Sequence, residues 1–117
     1  MEFNDYQKKA KDTAIYPDVY LEQGSYRSCS FLYPALGLCG ESGEVAEKIK
    51  KILRDKNGKP SPEDIDGLKK ELGDILWYIS ALAGEFELSL DDIAETNINK
   101  LASRKERNEI KGFGDNR

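Results

Sequence analysis

The chain has 117 residues and a mass of 13.2 kDa, which fits one domain of ordinary size. Charged residues make up 34% of it, above the ~25% of an average globular protein, and 22 acidic against 18 basic residues leave a net charge of −4. That balance, with no Lys/Arg block, argues against a nucleic-acid binder, and apolar runs of only a few residues argue against a membrane span. Met1-Glu2-Phe3-Asn4-Asp5 lacks the start of a secretory signal. Cys29 and Cys39 are too few for a disulfide framework, and with no His a Cys/His zinc site is excluded. The expectation is a reduced, soluble, cytoplasmic domain.

Four segments carry helical signals. The first runs from about Asn4 to Ala14, with Asn4 or Asp5 as cap and Phe3, Tyr6, Ala10 and Thr13 at helical spacing. Pro17 ends it, and a tyrosine- and serine-bearing stretch through Gly24 to Ser30 reads as a long connection of the kind that carries function. The second begins near Leu32 to Pro34 and continues to about Lys56. Leu38, Val45, Ile49 and Ile52 line one face of it, and Asn57-Gly58 is its stop. The third opens on Ser61-Pro62-Glu63-Asp64, a capping signal with Pro in the first turn. Leu68, Leu72, Ile75, Ile79, Leu82 and Phe86 then form an apolar stripe. The fourth opens on Ser89-Leu90-Asp91-Asp92 and runs through Ile93, Ala94, Ile98 and Leu101 to around Arg107. Short connections favour antiparallel neighbours, so the expected fold is all-α: one antiparallel bundle of about four to five helices spanning residues 1–117.

Two acidic pairs stand out, Glu41-x-x-Glu44 on the second helix and Glu71-x-x-Asp74 on the third. The spacing alone means little, because seven acid pairs in the chain are separated by three, and most such pairs are solvated surface. Position on the helix says more. At 100° per residue, with Val45 at zero, Glu41 lies about 40° and Glu44 about 100° to one side of the apolar stripe. With Leu68 at zero, Glu71 and Asp74 lie about 60° and 120° off, again to one side. Two such helices packed antiparallel would gather four carboxylates at the rim of the core. Such a cluster repels itself unless neutralised, and hard oxygen donors suit Mg²⁺ or Mn²⁺ rather than zinc. The plainer alternative pairs Glu44 with Lys48 and leaves Glu71 to a neighbouring lysine.

The stretch Gly37-Leu38-Cys39-Gly40-Glu41-Ser42-Gly43-Glu44-Val45-Ala46-Glu47, followed by Lys70-Glu71-Leu72-Gly73-Asp74-Ile75-Leu76-Trp77-Tyr78, resembles the MazG-type all-α nucleoside triphosphate pyrophosphohydrolases. Their signature is E-x-x-E, a spacer, then E-x-x-D; here 26 residues separate Glu44 from Glu71. Asn97-Ile98-Asn99-Lys100-Leu101 with Arg104 matches the N-x-x-K segment of that family. The tail Gly112-Phe113-Gly114-Asp115 is similar to that of its short, phage-type members. The resemblance implies cleavage of a nucleoside or deoxynucleoside triphosphate to monophosphate and pyrophosphate. It implies Mg²⁺ held by Glu41, Glu44, Glu71 and Asp74, with Glu41 or Glu44 activating water. Many members carry a further acid where this chain has Gly40.

Asn97, Lys100 and Arg104 fall at i, i+3 and i+7 on one helical face, one amide and two cations suited to phosphate. Glycines 37, 40 and 43 cost helix stability of about 0.8–1 kcal/mol each, an expense consistent with close approach of a ligand or helix. Tyr78 is the better pocket candidate and Trp77 reads as core or interface packing; Cys39 reads as a small buried filler. The resemblance also implies a homodimer or homotetramer, with aromatic groups of the Ser25 to Tyr33 connection contacting the base. Two other classes stay open: a non-catalytic helical interaction module, and a phosphohydrolase acting on a dinucleotide or alarmone.

Overall fold

The computed structural model describes residues 1–18 and 29–116. The Ser25 to Ser28 part of the expected base-contacting connection lies outside them. Four helices follow one another, α1 (Phe3–Lys11), α2 (Leu32–Lys56), α3 (Pro62–Glu85) and α4 (Leu90–Glu106), with no strand among the described residues. None of these helices is long and apolar enough to cross a membrane.

The capping chemistry of α3 is as its sequence requires. Ser61 Oγ accepts from Asp64 N at 3.2 Å, and Asp64 Oδ2 accepts from Ser61 N at 2.8 Å. Lys56, at the end of α2, donates to the same Asp64 oxygen at 2.6 Å and so ties the two helices together at the turn. Asn57 and Gly58 both adopt positive φ, and Gly58 N donates to Ile52 O at 3.1 Å to close α2. Ser89 caps α4 through Asp92 N at 3.1 Å.

The start of α1 departs from the reading of its sequence. The helix begins at Phe3, so Asn4 and Asp5 lie inside it and neither caps it. Asn4 instead spends its side-chain oxygen on α4, accepting from Asp91 N at 3.1 Å. Gln7, one turn on, donates to Leu88 O at 2.9 Å and accepts from Leu90 N at 3.0 Å. Polar side chains of α1 thereby satisfy the orphan backbone groups of the α3–α4 turn. The helix also stops at Lys11 rather than Ala14, and the chain leaves through turn bonds from Thr13 N and Ala14 N.

The α2–α3 pair is antiparallel with a regular register. Ser30 faces Glu85, Gly37 faces Tyr78, Glu41 faces Asp74 and Lys48 faces Gly67. Steps of seven, four and seven residues along α2 are therefore matched by equal steps back along α3. These are intervals of two, one and two helical turns, which keep one seam of each helix against its partner. At the open end Phe31 and Phe86 meet with ring centroids 5.3 Å apart.

Burial is thinner than the apolar stripes led one to expect. Pro34, Ile52, Ala83, Leu90 and Cys29 are buried, but Ile49, Leu53, Leu72 and Phe86 are exposed. The reason is that α2 and α3 pack chiefly on each other, while α4 meets mainly α1. Two long helices cannot cover more than one seam apiece. The Cα radius of gyration, 17.9 Å, exceeds the roughly 13 Å of a compact domain of this length. Cys39 is likewise exposed, not a buried filler; Cys29 takes the buried place, and both are free thiols.

Candidate functional site

Where α2 and α3 come closest, Gly37 lies under the ring of Tyr78. A Cβ at Gly37 would stand 2.2 Å from Tyr78 Cε1, so only glycine admits this approach. Gly40 and Gly43 have open space beside them, so close approach explains one of the three glycines. Glu41 lies one turn beyond Gly37, and Asp74 one turn before Tyr78. The close contact therefore sets the two acidic faces opposite each other.

Glu41, Glu71 and Asp74 each offer a carboxylate oxygen within 4.8 Å of the others. Glu41 and Glu71 are half-buried and Asp74 is exposed. Glu44 is exposed and is not one of the three. The helical angle alone does not account for this, since Asp74 lies further from its own seam, at about 120°, and still converges. The carboxyl of Glu41 is held above its usual range, first by a hydrogen bond to Glu71, then by desolvation and by the negative charges of Asp74, Glu71 and Glu44. Lys48 stands 3.7 Å from Glu71, so the lysine expected beside Glu44 reaches across to α3 instead. Three carboxylate-bearing groups on two helices, with one lysine beside them, form a donor set that fits a hard divalent cation.

Two tyrosines flank this group. Desolvation raises the phenol of Tyr78, helped by Tyr33, Glu41 and Asp74. Burial raises that of Tyr6 on α1, helped by Asp74. Tyr6 looked like an ordinary apolar-face residue in the sequence. Its proximity to the acids follows from how α1 crosses α3, which no local pattern encodes.

The residues of α4 lie elsewhere. Asn97 is exposed. Lys100 stands 3.6 Å from the Asp115 carboxylate. Arg104 is only 4% exposed and donates through Nη2 to Asp115 O at 2.7 Å and Gly114 O at 3.3 Å, leaving Nε buried without an acceptor. Within one chain these cations hold the C-terminal tail.

A concavity of about 910 Å³ opens between α1, the C-terminal half of α3 and the start of α4. Trp77, Tyr16, Ser30 and Glu85 line part of it. Tyr16 stacks on Tyr33 with centroids 5.6 Å apart and meets Trp77 edge-on at 6.4 Å. Trp77 also meets Tyr78 edge-on at 5.1 Å, and its Nε1 donates to Thr13 Oγ1 at 2.8 Å. The single tryptophan therefore lies between this cavity and Tyr78, beside the acid group.

These features define an α-helical scaffold that gathers carboxylates from two antiparallel helices, and comparison places it. Residues 32–108 match the MazG nucleotide pyrophosphohydrolase domain, and the chain belongs to that family. It is also 49% identical over 113 residues to the Gene 37 protein of Mycobacterium phage L5, an alignment covering 96% of each chain. No solved structure matches it significantly.

Proposed function

We propose that the protein is a divalent-cation-dependent hydrolase that cleaves nucleoside or deoxynucleoside triphosphates to monophosphate and pyrophosphate, in housekeeping of the nucleotide pool. The observation that carries the reading is the convergence of Glu41, Glu71 and Asp74 from two helices. These three acids would hold Mg²⁺, or Mn²⁺, with Glu44 one turn along α2 as a further ligand or water-orienting group. A bound cation would lower the pKa of water and neutralise charge developing on phosphate oxygens.

The chain's own residues do the rest. Water adds across the anhydride between the α- and β-phosphates: its oxygen joins one phosphorus and the bridging oxygen leaves with the other. Glu41, whose proton affinity is already raised, and the exposed Glu44 are positioned to orient that water and accept its proton. Tyr78 closes the side of the site nearest Gly37.

The exposed apolar faces of α2, α3 and α4, with Leu36 70%, Leu72 57% and Ile98 64% exposed, support a homodimer or homotetramer. In such an assembly Asn97 and Lys100 would reach a phosphate bound on a neighbouring subunit, and Arg104 would order the tail beside them. The deciding assay supplies a nucleotide panel with Mg²⁺ and measures pyrophosphate for wild type, Glu44→Gln and Glu71→Gln. Pyrophosphate release that stops with chelator and falls in both variants is expected. Orthophosphate release, or turnover indifferent to chelator, would overturn the reading.

A further inference from the structure

The concavity beside Trp77 is joined to the acid group by a single face of α3. Asp74, Trp77, Ala81 and Glu85 fall at i, i+3, i+7 and i+11, a line roughly 16 Å long at 1.5 Å per residue. That span is comparable with a nucleoside triphosphate extended from its terminal phosphate to its base. At the far end, Tyr16 Oη and Ser30 Oγ both donate to Glu85, one to each carboxylate oxygen. The phenol of Tyr16 is held well above its usual range by burial and by Glu85, so its proton stays on the hydroxyl. Each hydroxyl has given its only hydrogen to the carboxylate. From Glu85, Tyr16 and Ser30 this corner offers a ligand acceptors, the remaining lone pairs of the three groups.

Two of the other polar groups on the wall are already engaged. Gln7 uses its amide on Leu88 O and Leu90 N, and the Trp77 indole N–H goes to Thr13. Lys8 and Lys11 on α1 also border the space and supply positive charge for an anionic ligand.

We propose that this cavity receives the base of the triphosphate and selects guanine, with Glu85 accepting from the base N1–H and 2-amino group and the Trp77–Tyr16 corner packing against its ring. Guanine is the one standard base that presents an imino and an amino donor side by side. Cytosine and adenine offer an amino group next to a ring acceptor. Uracil and thymine place a carbonyl on each side of their single N–H, and against Glu85 those carbonyls would face carboxylate oxygens. The inference rests on the proposed triphosphate chemistry at the acid group and adds a preference to it.

The test compares kcat/KM for GTP, ATP, CTP and UTP in wild type and Glu85→Gln, with helical content checked by circular dichroism. Expected are a GTP preference over UTP of at least tenfold, and a tenfold or greater loss for GTP in Glu85→Gln with UTP within twofold. A flat wild-type profile, or an equal fall on all four nucleotides, would overturn the guanine pocket while pyrophosphate release still supported the parent activity. Should wild type hydrolyse none of them, nor the corresponding deoxynucleoside triphosphates, the parent activity fails. The pocket is then read by saturable quenching of the lone tryptophan, Trp77, by GMP against UMP. GMP-selective quenching that Glu85→Gln abolishes sustains it, and its absence overturns it. If Glu85→Gln does not fold, the wild-type profile and the quenching decide alone.

Discussion

Along α2 and α3, carboxylates from two helices meet within one chain; along α4, Lys100 and Arg104 meet only the chain's own tail. The difference comes from packing. The α2–α3 seam is fixed by a capping box, an ion pair at the turn and the Gly37–Tyr78 contact, whereas α4 is held mainly at its N-terminus by Asn4 and Gln7. A site can form inside one subunit where two helices share a seam. Where a helix projects from the body, its polar face is completed by the tail or by another subunit.

The largest effect expected concerns the completed region. Asp74→Asn removes one of three converging acids while leaving a side chain of the same size at an exposed position. Pyrophosphate release should fall on the order of a hundredfold or more, at least what loss of a residue supporting a metal ligand costs, with the unfolding midpoint nearly unchanged. Lys100→Gln should lower kcat/KM by less, and only if α4 reaches substrate across an interface. Equal losses in the two variants would erase the distinction between the regions.

Glycine substitutions sharpen the same contrast within α2. Gly37→Ala gains roughly 1 kcal/mol of helix propensity but drives a methyl into the Tyr78 ring, an overpacking cost of about 1–3 kcal/mol. The steric term should win, lowering stability by up to ~2 kcal/mol. Gly40→Ala and Gly43→Ala meet open space and should each raise stability by up to ~1 kcal/mol. Urea unfolding of the three variants checks the sign at each site. A stabilised Gly37→Ala would mean that the helices are not in close contact there.

On α4, Arg104→Ala removes the buried group that holds two tail carbonyls, hydrogen bonds worth about 1.5–3 kcal/mol each when the donor is charged. Relief of the buried charge offsets part of that, so a net loss of ~1 kcal/mol and faster proteolysis after Arg107 are expected. Asp115→Asn touches a carboxylate that is almost fully exposed, and should change stability by under ~0.5 kcal/mol. Similar proteolysis of the two variants would show that the tail is not anchored through Arg104.

Much of the seam was legible in the sequence because its signals are local. Ser61, Pro62 and Asp64 sit at fixed offsets, and the wheel positions of Glu41, Glu71 and Asp74 follow from their distance to the apolar residues. The same wheel grouped Glu44 with them, and it is the packing of the two helices that leaves it outside the converging set. What periodicity could not supply is which apolar residues one chain covers. Leu72 and Ile49 belong to perfect stripes and remain exposed because the chain provides too few helices to cover them. Arg104 read as a phosphate ligand because its spacing from Lys100 and Asn97 is right for one. Its burial depends on a tail that folds back through Gly112 and Gly114, both at positive φ. Tyr16, Ser30 and Glu85 were equally silent, since they come from three segments and carry no common motif.

The smallest effect expected separates the α2–α3 turn from the rest of the seam by pH. The Asp64 carboxyl is held down to about 2 from its ordinary 3.8, chiefly by Lys56 and then by the Ser61 backbone N–H. A depressed carboxyl contributes stability that is complete above its unfolded pKa and is lost as pH falls from there through the folded value. Asp64→Asn keeps an acceptor for Ser61 N–H but cannot titrate, so wild type should exceed it in urea midpoint at pH 7 and at pH 5. The gap should begin to close below about pH 4 and narrow further at pH 3, with most of it gone near pH 2. Because Asp64 sits on the surface, the gap is small and salt should shrink it. A gap that stays constant from pH 7 to pH 3 would assign the effect of Asp64 to helix geometry rather than to its charge, and would leave the Lys56 contact without a part in holding the turn.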